Sequence, residues 1–150
     1  MRRYLLTICT MTLVFLLSGC GEPISMVPGG KLAGNLQPTP KEWRSVPEVI
    51  QVEMRASDPY SINIWGVGIG SDLYIATGED GTTWSEFIAS DSSVRARVGS
   101  ALYGLRAVLV AEPEERRKVT KAYVAKYDLD SDDNWVTKGM IFRLDPKPRQ

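Results

Sequence analysis

The chain predicts a small antiparallel β-barrel of six strands with two helices at its rim. Three observations carry that prediction. Apolar and polar residues alternate with period two in several short runs, which is the pattern of strands with one buried face. Tight polar turns join most of these runs, as hairpins require. Only two stretches show helical spacing. Closing such a sheet into a barrel removes the unpaired edges that an open α+β sheet would expose.

The first strand begins at Ile50, where Ile50, Val52 and Met54 alternate with Gln51, Glu53 and Arg55. Asp58-Pro59 makes a turn, and a second strand starts with Ile62 and Ile64 and continues through Trp65 and Val67. Ser71-Asp72 turns the chain into a third strand, Leu73 to Thr77, which Gly78-Glu79-Asp80-Gly81 ends. Thr83 with Glu86 three positions on is a capping-box pattern. It predicts a short helix carrying Trp84, Phe87 and Ile88, ended by Asp91-Ser92-Ser93. Val94, Ala96 and Val98 alternate with Arg95 and Arg97 in a fourth strand. Gly99-Ser100 is a two-residue hairpin turn with glycine first, and Ala101 to Val110 is the return strand. Pro113 stands at a first helical turn ahead of Glu114 and Glu115, where acids suit the positive helix end. The second helix covers Glu114 to Tyr127. An acidic loop from Asp128 to Asn134 precedes a last strand, Met140 to Leu144, closed by Asp145-Pro146.

The N-terminus has another character. Arg2 and Arg3 precede an apolar run from Tyr4 to Leu17, the order of a secretory signal rather than of a folded helix. The run falls short of the roughly 20 apolar residues of a transmembrane span. It ends in Leu17-Ser18-Gly19-Cys20, which resembles the bacterial lipobox. That resemblance implies removal of residues 1–19, lipid attachment at Cys20 and acylation of the new terminus, enough chains for firm membrane anchoring. Residues 20–46 then read as a lipidated terminus and flexible tether, because Gly21 to Pro40 holds four prolines and four glycines. Pro28-Gly29-Gly30-Lys31-Leu32 is the part suited to dock on the barrel, and residues 47–150 form the barrel domain. Gly21 replaces the aspartate that retains many lipoproteins at the inner membrane, so the resemblance points to the periplasmic side of the cell envelope, with the outer membrane favoured in a Gram-negative cell.

Composition excludes several functions. A chain starting at Cys20 has 131 of the 150 residues, enough for one buried core. It carries 16 basic against 18 acidic side chains, with no basic block that would bind nucleic acid. There is no histidine, so His-based triads, the usual zinc sites and His general-base catalysis are absent. Cys9 leaves with the signal and Cys20 is acylated, so the folded domain has neither a disulfide nor a thiol nucleophile. Asp128, Asp130, Asp132 and Asp133 alternate like a calcium loop but lack its glycine and closing glutamate. No metal ligand set and no catalytic residue is assigned.

Asp72-Leu73-Tyr74-Ile75-Ala76-Thr77-Gly78, then Trp84, then Asp91 to Val98 and the hairpin to Arg106-Ala107-Val108 stand in a familiar order. Glu112-Pro113-Glu114-Glu115-Arg116 and the closing Ile141-Phe142-Arg143-Leu144-Asp145-Pro146 extend it. Over Val49 to Pro146 the chain resembles the FMN-binding split barrels of the pyridoxamine-phosphate-oxidase-like superfamily, including its deazaflavin-dependent nitroreductase branch. The resemblance implies a six-stranded split β-barrel and a cofactor, FMN or deazaflavin, whose phosphate lies near the loop after the third strand. Carried over, the cofactor-binding positions are Thr77, Gly78, Thr82, Thr83 and Trp84, with Arg97 supplying charge; Arg95 and Arg106 are further cations that could offset Glu79 and Asp80. Those two acids stand where a phosphate site favours arginine or lysine.

Two functions follow. One is a membrane-anchored lipoprotein whose split barrel binds a small planar ligand, a flavin-type cofactor in one version, with any oxidoreductase chemistry supplied by that flavin or deazaflavin. The other is a non-catalytic cell-envelope lipoprotein acting through protein contacts. Trp65, Trp84 and Tyr103 are either stacking residues or barrel core and rim. Arg95 and Arg97 share one strand face, which is solvated or pairs two copies in a homodimer, as split-barrel flavoproteins do.

Overall fold

The computed structural model describes residues 22–132 and 134–147; the signal segment, Cys20 and Asp133 lie outside the described residues. Six strands are present: β1 (Val49–Met54), β2 (Tyr60–Ile69), β3 (Asp72–Ala76), β4 (Ser93–Val98), β5 (Ala101–Leu109) and β6 (Ile141–Pro146). They close into an antiparallel barrel in the order β1-β2-β3-β6-β5-β4. The ring is sealed by β1 against β4, with Val52 opposite Ala96. Three helices are described: α1 (Thr83–Ser90), α2 (Pro113–Tyr127) and α3 (Trp135–Lys138).

The alternation sets the interior. Val52, Met54, Ile75, Val94, Leu105 and Leu144 belong to one buried cluster inside the barrel. Trp84 and Ile88 of α1 join this cluster, as does Trp43, whose ring meets Tyr103 edge-on at 5.1 Å. The interior is therefore filled by the chain's own side chains. A second cluster lies outside the wall, where Val119 and Tyr123 of α2 and Val136 of α3 cover Val67, Tyr74, Ala76 and Ile141. The Gly99-Ser100 turn behaves as its sequence requires: Gly99 has φ 61°, which glycine adopts without steric cost.

Several expectations are corrected. The cap of α1 is Thr82, not Thr83, and its reciprocal partner is Ser85 rather than Glu86: the Ser85 hydroxyl accepts the Thr82 N–H at 2.9 Å. Among the described residues there are three helices instead of two, because Asn134 caps a single turn by accepting the Thr137 N–H at 3.2 Å.

The largest difference concerns the segment read as a flexible tether with one stretch suited to docking. From Pro23 to Val46 the chain is laid over the barrel wall as a strap. Gly29 pairs with Ser61 on β2, and Leu36 bridges Leu102 on β5. Leu32, within the stretch suited to docking, is fully buried. Further along, the Trp43 N–H donates to the Gly70 carbonyl at 2.8 Å. The backbone of Trp43 leaves no room for a Cβ at Gly68, so only glycine fits there. A proline- and glycine-rich strand can lie flat on a sheet when the wall supplies partners, and here it does.

Candidate functional site

Glu53 and Arg95 fasten the strap. Glu53 is 4% exposed although its strand position faces outward. Its carboxylate accepts the Leu32 N–H at 2.6 Å and the Arg95 Nε–H at 2.8 Å, and pairs with Arg95 Nη2 as well. Arg95 also donates to the Leu32 carbonyl at 3.0 Å. One residue pair along, Arg97 donates to Gln51 Oε1 at 2.9 Å and to the Ala33 carbonyl, and pairs with Glu22 at 2.8 Å. These arginines therefore do not form a bare solvated face; the chain's own N-terminal segment lies on it.

The structure keeps Thr77, Gly78, Thr82, Thr83 and Trp84 in one loop running into α1 but sets Arg97 apart from them. In the closed ring β3 and β4 stand three strands apart in either direction, so Arg97 lies across the barrel from Thr77 and points outward. Thr77 is buried and its hydroxyl donates to the Gly78 carbonyl. Thr82 is consumed as the α1 cap, accepting the Ser85 N–H at 3.4 Å. Thr83 is exposed. Trp84 is only 8% exposed and packs edge-on against Phe142 at 5.8 Å, as core rather than as a stacking surface. Gly139 fits so closely against Thr77 and Gly78 that a Cβ there would overlap the Thr77 carbonyl. Glu79 and Asp80 are the exposed charged groups of the loop. With the Thr77 and Thr82 hydroxyls engaged within the loop and two exposed carboxylates beside them, the loop lacks the cations that a flavin phosphate favours. Arg106, on the outer side of β5 opposite Asp145, does not alter this.

An aromatic site lies elsewhere. Trp65, on the outer side of β2, is 40% exposed. Its ring lies parallel to Tyr127 at the end of α2, with centroids 4.4 Å apart and planes 5° from parallel. Trp135 at the start of α3 stands 6.3 Å away, and Tyr123 meets Trp135 edge-on at 5.7 Å. Trp65 and Trp135, with Met26, Val49, Ile64 and Asn63, line an open groove of about 480 Å³, within the usual size range of small-molecule sites.

The platform is rigid for identifiable reasons. Tyr123 donates to the Trp65 carbonyl at 2.9 Å. The Tyr127 hydroxyl lies 2.6 Å from the Glu48 carbonyl and accepts the Gly66 N–H at 3.0 Å. Lys126 Nζ donates to the carbonyls of Val46, Pro47 and Gly66 at 2.8, 2.8 and 2.6 Å. Burial lowers the Lys126 pKa, opposed by the Glu48 carboxylate. At the other end of α2, Glu115 accepts from the Tyr74 hydroxyl at 3.0 Å and from Arg143 at 2.7 Å.

Burial pushes the Tyr127 hydroxyl up to about 12, against the lowering effect of its bond to Gly66 and with some help from Glu48. Burial raises Tyr123 and Tyr74 as well. The folded state thus prefers these phenols protonated. Their contribution is fully present below about pH 10, the unfolded value, and is lost as pH rises through the folded values. Denaturant midpoints measured from pH 9.5 to 12 should fall, and Tyr127→Phe should make that fall shallower.

Comparison with solved structures bears on the barrel as a whole. A Listeria innocua protein designated a pyridoxamine 5′-phosphate oxidase by inference superposes with a TM-score of 0.56 at 12% identity, over 68% of this chain and 86% of its own. An FAD-binding protein from Mesorhizobium loti gives 0.52 at 13% identity, over 68% and 83%. The fold is the split β-barrel. An F420-H2-dependent reductase matches the same split barrel with a TM-score of 0.51 at 15% identity, over 65% and 94%. No family model and no curated protein matches the chain by sequence. At these identities the split barrel is what is shared, and the chemistry of the neighbours stays with them.

The sequence missed Tyr127, Trp135 and Lys126 as members of a site. The available signal was aromatic residues at the end of one helix and just after an acidic loop, which by itself reads as packing.

Proposed function

We propose that the protein is a bacterial lipoprotein, held in the cell envelope through Cys20, whose split barrel binds a small planar ligand on the Trp65 platform. The observation that supports this reading is the parallel Trp65–Tyr127 stack, which leaves a fixed indole on the floor of an apolar groove. A planar heteroaromatic ring can lie on such a face, a stacking contact contributing about 0.5–1.5 kcal/mol beyond the area it buries. In a flavin-type ligand the ring and not the phosphate carries recognition, because the loop from Thr77 to Trp84 presents the carboxylates of Glu79 and Asp80 where a phosphate favours cations. Redox chemistry, if present, belongs to the ligand, since the domain contributes no histidine or cysteine. The lipobox and Gly21 support placement on the periplasmic side, with the outer membrane favoured in a Gram-negative cell.

The test is a titration of the purified protein with riboflavin and with FMN, followed by quenching of flavin fluorescence. Both should bind with affinities within about threefold of each other, and Trp65→Ala should weaken both by about tenfold, or roughly 1.4 kcal/mol. A protein that quenches neither lacks the ligand site and acts in the envelope through protein contacts instead. FMN bound much more tightly than riboflavin would place recognition at the phosphate and contradict the assignment.

A further inference from the structure

We infer that the turn Ile24–Val27 and the rim of the adjoining groove dock on the surface of the bilayer that holds the lipid anchor. The inference rests on the anchored reading above. Ile24 and Val27 exchange backbone hydrogen bonds at 3.1 and 2.9 Å, closing a tight turn with Met26 at its tip, 93% exposed. This turn is fixed to the barrel and does not swing away from it. Asn63 on β2 donates to the carbonyls of Pro23 and Ser25 at 3.2 and 3.0 Å, and Glu22 is paired with Arg97.

Cys20 precedes Glu22 by two residues, a span of at most about 7 Å of extended chain. The acyl chains therefore enter the membrane beside this face, and no long tether separates the barrel from the lipid. Ile24, Met26 and Val27 are exposed here, and Val49 and Trp65 are exposed along the same groove. Exposed apolar side chains that close to a lipid anchor suit insertion to the depth of the headgroup and upper acyl layer, about 5–10 Å. Trp65 and Trp135 behind them have the amphipathic rings that favour that interface. A planar ligand would then reach the Trp65 platform at the headgroup layer.

The full-length lipoprotein, reconstituted in vesicles of phosphatidylethanolamine and phosphatidylglycerol, tests this directly. In the anchored form Met26→Cys introduces the sole free thiol, and a fluorophore placed on it reports contact with lipids bearing a nitroxide near the top of the acyl chain. The same label on Leu109→Cys, exposed on β5, is the comparison. The label at position 26 should be quenched about threefold or more beyond the label at position 109. Mass spectrometry of the N-terminal peptide separates the two ways of failing. An acylated protein with equal quenching at both positions overturns the docking and leaves the anchor standing. A chain without acyl groups on Cys20 overturns the anchored reading and the docking with it.

Discussion

Glu53→Ala should be the most damaging single substitution outside the interior of the barrel, with an expected loss of about 3–5 kcal/mol. Removing one partner of a buried pair leaves the other charged and uncompensated, and among the described residues Glu53 is the carboxylate that Arg95 pairs with. The Leu32 N–H loses its acceptor at the same time, and an unsatisfied buried donor carries a further penalty. A domain of this size has a total stability of about 5–15 kcal/mol, so the variant should be marginal at physiological temperature. Glu53→Gln keeps the volume and one acceptor and should lose less. Urea denaturation measures the loss, and limited proteolysis between Lys31 and Asn35 reports release of the strap. A Glu53→Ala protein within about 1 kcal/mol of the parent would mean that the strap is not fastened here.

The second large effect is expected at Gly139. Its backbone lies against Thr77 and Gly78, and the atom that obstructs a Cβ is a carbonyl oxygen of the main chain. Main chain paired into a sheet cannot rotate aside as a side chain can, and the Thr77 N–H is committed to the Met140 carbonyl at 2.9 Å. Gly139→Ala must therefore part the loop after β3 from the start of β6, at a cost of about 3 kcal/mol. Gly78→Ala is the matched control, since nothing lies within 4 Å of a Cβ there; it should stay within about 0.5 kcal/mol of the parent. Thermal unfolding of the two variants separates them. Equal midpoints would show that the contact at Gly139 relaxes freely.

The strands were legible because their alternation is a local property. Val52 and Met54, or Val94 and Ala96, face inward wherever the chain is paired, and Gly99-Ser100 turns by its own chemistry. The start of α1 was legible only to within a residue, since Thr82 and Thr83 are both suitable caps and the backbone alone decides between them. The helix α3 was lost because four residues beginning Trp135-Val136 carry no helical period. The strap was misread for a deeper reason. Its composition describes a chain with few local interactions, while its attachment depends on partners far away in sequence: Leu32 meets Glu53 across 21 positions and Arg95 across 63. In the same way Glu53 looks like an ordinary solvated strand residue until a second layer covers it.

The candidate site was less legible than the fold. The resemblance directed attention to the loop after β3, where the hydroxyls of Thr77 and Thr82 proved to be internal partners and Trp84 proved to be core. Trp65, Tyr127 and Trp135 become neighbours only when α2 crosses the outer wall and α3 turns back beneath it, and no local pattern encodes that meeting.

The most direct test of the central claim uses the four tryptophans, two of which line the groove while two are buried. Each indole Nε1–H gives its own resonance in a nitrogen-15 labelled sample, and single Trp→Phe variants assign them. On addition of riboflavin the Trp65 and Trp135 signals should move in a saturable way while Trp84 and Trp43 stay in place. Movement confined to Trp84, beside the loop after β3, would contradict the account and return the ligand to the position that the family resemblance implied.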